Sequence, residues 1–121
     1  PRVDFTSTHL DQGRDPEIRL AQARSLNAQL VHEDGVATIL AGDMNARPGS
    51  EVMALFDEYW ANPLTGADSG LLGPTGRPRL PVDYVLVRPV ARWHVIESRI
   101  VDEPIASDHR PVLVVLEWTG P

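Results

Sequence analysis

The stretch Gly35-Val36-Ala37-Thr38-Ile39-Leu40-Ala41-Gly42-Asp43-Met44-Asn45 decides how the rest of the chain is read. Residues 36–41 are almost wholly apolar and bounded by glycine on each side. Such a run reads as a buried strand rather than a half-exposed one. It stops on Gly-Asp-X-Asn. A buried strand ending on two short polar side chains holds them rigidly at the edge of a core, as a catalytic site requires. The plainer reading is a strand followed by an Asx turn, because Asp and Asn favour turns for local reasons.

Working outward, residues 1–8 alternate, with Val3 and Phe5 on one face and Asp4, Thr6 and Thr8 on the other, which predicts a strand. It runs into Thr8-His9-Leu10-Asp11. Asp15-Pro16-Glu17 is a helix start: an N-cap acid, a proline at the first helical position, an acid in the first turn. The helix is expected to reach about His32 and stop before Gly35. Leu20, Ala23, Leu26, Leu30 and Val31 fall on one stripe. Arg19 lies inside that stripe near the positive helix end, where a cation is disfavoured. It reads either as a snorkelling side chain or as the buried partner of a carboxylate.

Beyond Asn45, Ser50 and Glu51 open a short helix through Phe56. Residues 61–81, rich in Pro and Gly, are too long for a plain connector, and such loops are often functional. Strands are expected at 82–87, 93–101 and 113–118. In the first of these Asp83 shares a face with Val85 and Val87, while Val82, Tyr84 and Leu86 face the other way. The pattern, without repeat or domain boundary, is an α/β (α+β) layered sandwich.

Composition narrows the function. The 121 residues fit one modest domain, and 42% hydrophobic content does not indicate disorder. A formal charge of -6 from eleven arginines, no lysine and seventeen acids argues against a broad nucleic-acid-binding face. There is no cysteine, which excludes disulfides and thiolate metal sites. No apolar stretch could span a bilayer and no signal peptide is visible, so localisation stays open. The chain opens at Pro1-Arg2-Val3, without an initiator Met and already in a strand, which points to sequence upstream.

Polar clusters fall at the expected strand ends: His9, Asp43 with Asn45, Asp83, and Asp108 with His109. Three carboxylates, two imidazoles and an amide are the groups needed for metal-assisted phosphoester hydrolysis. Carboxylates ligate a hard cation such as Mg2+, and one can orient or deprotonate the attacking water. Asn and His can donate to phosphate oxygens as charge develops, and an Asp behind a His fixes its tautomer. Each residue also has a structural reading. His9 can cap a loop, Asp83 can pair with Arg19 or Arg79, and Asp108 can open a turn before Pro111. His32 and His94 fit no cluster. Ser107, Asp108 and His109 are not a serine triad, because neighbours on an extended segment point apart. Arg77, Arg79, Arg88 and Arg92 read as a solvated face or a phosphate-facing one.

The order Thr8-His9-Leu10-Asp11, Arg19 with Gln22, Gly42-Asp43-Met44-Asn45, Val82-Asp83-Tyr84-Val85 and Ser107-Asp108-His109-Arg110-Pro111-Val112 resembles the endonuclease/exonuclease/phosphatase superfamily, with its deoxyribonuclease-I-like fold. The match runs nearly the whole chain, and the Trp60 and 78–84 regions resemble bacterial, small-substrate members. The resemblance implies a phosphodiesterase, nuclease or phosphatase using one or two Mg2+ or Mn2+ ions. His9 and Asn45 would contact the phosphate, and Asp43 would orient the water. Asp83 would buttress His109, itself a phosphate contact or acid/base. Asp108 would hold the metal together with Asp43. One departure stands out: the family's Asn and Glu metal ligands have no counterpart here, and Glu17 and Asn27 lie in the wrong order and context. The chain therefore resembles the C-terminal half of such a domain. Its expected partners are the missing N-terminal half and a phosphorylated substrate. One sheet with outer helices would leave its inner face uncovered and open to self-association. The competing function is an inactive fragment or binding module of the same fold that pairs with another chain.

Overall fold

The computed structural model describes residues 1–64 and 81–121. Most of the long loop expected to be functional, with Arg77 and Arg79, lies outside the described residues. Seven regular elements are joined by one 3-10 turn: β1 (Val3–His9), α1 (Pro16–Leu30), β2 (Ala37–Asp43), α2 (Glu51–Asp57), β3 (Asp83–Arg88), β4 (Trp93–Ile100) and β5 (Val112–Trp118), with the turn Val90–Arg92 before β4. No described helix is long and apolar enough to cross a membrane.

Local sequence accounts for the helix starts. The Asp15 carboxylate accepts from the Glu17 amide at 3.0 Å, with Pro16 supplying the first helical position. The Ser50 hydroxyl accepts from the Met53 amide at 3.3 Å. Each bond satisfies an amide that the first helical turn leaves without a partner.

The strands form a three-stranded sheet in the order β1-β2-β3 and a separate two-stranded sheet of β4 and β5. The single sheet expected from sequence is thus divided. At the outer edge of β3, Ala61 exchanges backbone hydrogen bonds with Val87 at 2.9 and 3.0 Å, and β4 and β5 pair with each other. β1 runs parallel to β2 through the α1 crossover, and β2 runs antiparallel to β3.

The helices cover one face of the larger sheet. Leu20 and Ala23 of α1, Val52, Met53 and Phe56 of α2, and Leu40, Tyr84 and Leu86 of the strands form one core with Leu10, Met44 and Trp60. Phe56, Leu40 and Leu86 are fully buried, each contributing roughly 1.5–3 kcal/mol. Asn27 ties the layer together, its amide donating to the Leu55 carbonyl at 2.8 Å and its oxygen accepting from the Trp60 indole at 2.9 Å.

The opposite face is covered only in part: Ala37 and Val87 on it are buried, whereas its β1 edge is open. Val3 and Phe5 are 46% and 65% exposed, and Ile39 and Val85 are half-buried. This corrects the expectation that residues 36–41 are buried on both sides: Ala37 and Leu40 are buried, but Ile39 and Ala41 are not. A second correction concerns Arg88. Far from a solvated face, it is buried, donating to the His32 carbonyl at 2.8 Å and lying 3.4 Å from the Glu33 carboxylate.

Candidate active site

The register brings three of the predicted side chains side by side. His9 is the pairing partner of Asp43 across β1 and β2, and Asp43 is the pairing partner of Asp83 across β2 and β3. Register partners in a sheet project from the same face. Alternation puts that face with Phe5, Ile39 and Val85, so the cluster sits at one end of the face opposite the helices.

The residue at position 42 makes the close pairing possible. Gly42 has a φ of 149°, and a Cβ there would come within 1.8 Å of the Thr8 carbonyl oxygen. Any larger residue would push β1 away from β2 at the site itself. The next residues form a rigid corner. Asp43 Oδ1 accepts from the Asn45 amide at 2.8 Å, Asn45 takes a φ of 45°, and Met44 donates to the Val82 carbonyl at 2.8 Å. The Asx turn expected from sequence is thus present at the end of the strand.

His109 reaches the cluster from the loop before β5. Its Nδ1 lies 2.7 Å from Asp83 Oδ2. Its Nε2 lies 3.9 Å from Asp43 Oδ2, and His9 Nε2 lies 3.4 Å from the same oxygen. Asp43 is therefore the hub: one carboxylate oxygen is fixed by backbone and the other faces two imidazoles. Its side chain is 17% exposed, against 68% for His9. Ligand-type atoms of Asp43, Asp83 and His109 all fall within 4.8 Å of one another. Two carboxylates and an imidazole are a donor set that accommodates a divalent cation. Beside them is an open depression of about 370 Å³ whose lining includes Gly42, Asp83, Val85, His109, Arg110 and Val112.

A family model for the endonuclease/exonuclease/phosphatase family matches residues 2–109. The chain belongs to the endonuclease/exonuclease/phosphatase family. A search of proteins with curated function returned no match. Solved structures share the fold. A functionally unknown conserved protein from Enterococcus faecalis is 24% identical with a TM-score of 0.77, over 94% of this chain and 49% of its own. A mannosyl-6-phosphatase from Bacteroides thetaiotaomicron is 20% identical with a TM-score of 0.78, over 94% and 51%. The human Nocturnin catalytic domain, with a bound sulfate anion, is 23% identical with a TM-score of 0.71, over 95% and 47%. The chain thus spans about half the length of these relatives, with the family's layered α/β sandwich architecture in that span.

Against this family background the predicted residues separate into two groups. His9, Asp43, Asp83 and His109 come together. Asp83 pairs with His109 and not with Arg19, whose guanidinium donates to the carbonyls of Asp11 and Gly13. Asn45 is adjacent, but its amide donates to the Leu10 carbonyl at 2.8 Å. Asp108, expected to share the metal with Asp43, stays outside: it is exposed, with its carboxylate 3.4 Å from the Ser107 hydroxyl. Both residues lie in a bend ahead of β5, and the bend brings His109 to Asp83 while Asp108 stays at the surface. Ser107 accepts from the His109 amide at 3.0 Å.

Sequence alternation places Tyr84 on a face with Val82 and Leu86 and gives it no further role. Its hydroxyl donates to the Ala46 carbonyl at 2.7 Å, bracing the loop that carries Asp43 and Asn45. Burial, together with the nearby charges of Asp57 and Asp83, pushes its phenol well above the usual tyrosine range. The available signal was a tyrosine on an otherwise apolar strand face, because a buried phenol needs a partner.

Proposed function

We propose that this chain is the C-terminal half of a metal-dependent phosphoester hydrolase, and that His9, Asp43, Asn45, Asp83 and His109 belong to its active site. The carrying observation is the convergence of Asp43, Asp83 and His109 within 4.8 Å in a member of the endonuclease/exonuclease/phosphatase family. Asp43 orients the attacking water through the carboxylate oxygen that faces both imidazoles. Asp83 fixes the ring of His109, so that its Nε2 points toward the reacting group and can donate there. His9 and the second hydrogen of the Asn45 amide offer donors to phosphate oxygens, which gain charge at the transition state.

A Mg2+ or Mn2+ ion would take Asp43 as its oxygen ligand here, with the Asp83–His109 pair beside it. A bound cation would neutralise phosphate charge and polarise the phosphorus–oxygen bond. The hydrogen bond between Asp83 and His109 engages two of the three donors, which leaves too few for tight binding. The remaining ligands are assigned to an N-terminal half, which would also cover the exposed sheet face.

The test uses the full-length protein, stripped with EDTA and assayed on p-nitrophenyl phosphate and bis(p-nitrophenyl) phosphate. Hydrolysis that returns with Mg2+ or Mn2+ is expected, and the favoured ester separates a phosphatase from a phosphodiesterase. Full activity in excess EDTA would overturn the proposal. A second reading, a binding module without turnover, is favoured by the exposure of Phe5 and Val3; it predicts no hydrolysis of either ester by the full-length protein.

A further inference from the structure

We infer that Arg19 and Gln22 of α1 are positioning residues for the active site, acting through the turn that follows β1. This inference rests on the proposed hydrolase reading. Residues three apart lie on one helix face, and this pair meets the same turn twice. Gln22 Oε1 accepts from the Asp11 amide at 2.9 Å. The Arg19 guanidinium donates to the Asp11 carbonyl at 3.1 Å and also to the Gly13 carbonyl.

What the helix holds is one step from the site. Leu10, between His9 and Asp11, donates its amide to the Asp43 carbonyl at 2.9 Å. Its carbonyl receives the Asn45 side-chain amide at 2.8 Å, and its side chain is buried. Leu10 is thus clamped between α1 on one side and the Asp43–Asn45 corner on the other. Moving Asp11 moves the Leu10 carbonyl, which aims the carboxamide of Asn45, and it moves His9 directly before it. The placement of Arg19 supports a dedicated use. A cation near the positive end of a helix is electrostatically disfavoured, and its Nε is buried without a hydrogen-bond partner. The two backbone carbonyls it reaches account for a guanidinium at this position.

The experiment compares Arg19→Met, Arg19→Lys and Gln22→Met in the full-length protein. The Met substitutions remove the polar contacts and keep the aliphatic stem. Three readouts are taken: kcat and KM for the two aryl phosphates with Mg2+, the side-chain amide resonances of Asn45 by NMR, and Tm. A misplaced group lowers turnover more than binding. Arg19→Met and Gln22→Met should lower kcat about tenfold with KM within about twofold, and should shift the Asn45 amide resonances. Arg19→Lys should recover most of the activity, because an ammonium can donate to both carbonyls. A lower Tm, with kcat and the Asn45 resonances unchanged well below it, would overturn the inference and leave a stabilising role alone. If Arg19→Met does not fold, Gln22→Met and Arg19→Lys decide in its place. If the unsubstituted protein hydrolyses neither ester, the hydrolase reading fails, and the Asn45 resonances still decide whether the helix positions this corner.

Discussion

Asp83 Oδ2 and His109 Nδ1 lie 2.7 Å apart, joining the first residue of β3 to the loop before β5. One carboxylate holds one side of the imidazole while Asp43 faces the other at 3.9 Å. The ring is therefore oriented from behind by a residue that does not need to touch the substrate. Asp83→Asn should keep the fold and lower kcat by roughly a hundredfold or more, as when the orienting acid of a triad is neutralised. Steady-state kinetics on the full-length variant check this; unchanged turnover would reduce the pair to a structural contact.

Tyr84→Phe should cost roughly 1–3 kcal/mol, because it leaves the buried Ala46 carbonyl without its donor. The phenol also sets a pH dependence. In the folded chain it ionises well above its ordinary value of 10.0, whereas in the unfolded chain it ionises near that value. Above that pH the unfolded state holds fewer protons, so stability falls as pH rises. Melting curves above and below this range should show the wild type losing stability on the alkaline side, and Tyr84→Phe losing less.

Gly42→Ala should be severe. The added methyl would meet the Thr8 carbonyl oxygen at 1.8 Å, at a φ of 149°, and a strained backbone of this kind alone costs about 1–3 kcal/mol. The clash adds to that by parting β1 from β2 where His9 faces Asp43. Chemical denaturation should show a loss of at least about 2 kcal/mol, together with loss of activity in the full-length protein.

Those two residues illustrate what sequence could and could not disclose. The helix starts at Asp15 and Ser50 are set by side chains bonding their own neighbours, so both were legible. The faces of β1 and β3 followed from alternation, and with them the grouping of Asp83 with Val85 and Val87. The strand at 36–41 was read as buried on both sides because Ile39 and Ala41 carry no mark of how much cover they receive. Arg19 invited a carboxylate partner, but backbone carbonyls have no sequence signature. Asp108 and His109 are adjacent letters that diverge in space, and only the direction of the loop decides which of them faces Asp83. The division into two sheets depends on which strands pair, a long-range matter that local patterning does not encode.

The partly covered face predicts opposite effects in two settings. In the isolated chain Phe5 is 65% exposed, so Phe5→Thr should change stability by less than about 0.5 kcal/mol while reducing self-association. In the full-length protein the same position is expected to be covered, and the substitution should cost about 3 kcal/mol. Sedimentation velocity and denaturation of both forms measure this. Equal, small effects in both would mean that nothing packs on this face.

The most direct test of the account is the turnover of the full-length protein carrying His109→Ala, measured with saturating Mg2+ on whichever aryl phosphate the unsubstituted protein hydrolyses. The account predicts a fall of roughly a hundredfold or more, with the melting temperature little changed. Turnover close to that of the unsubstituted protein would contradict it.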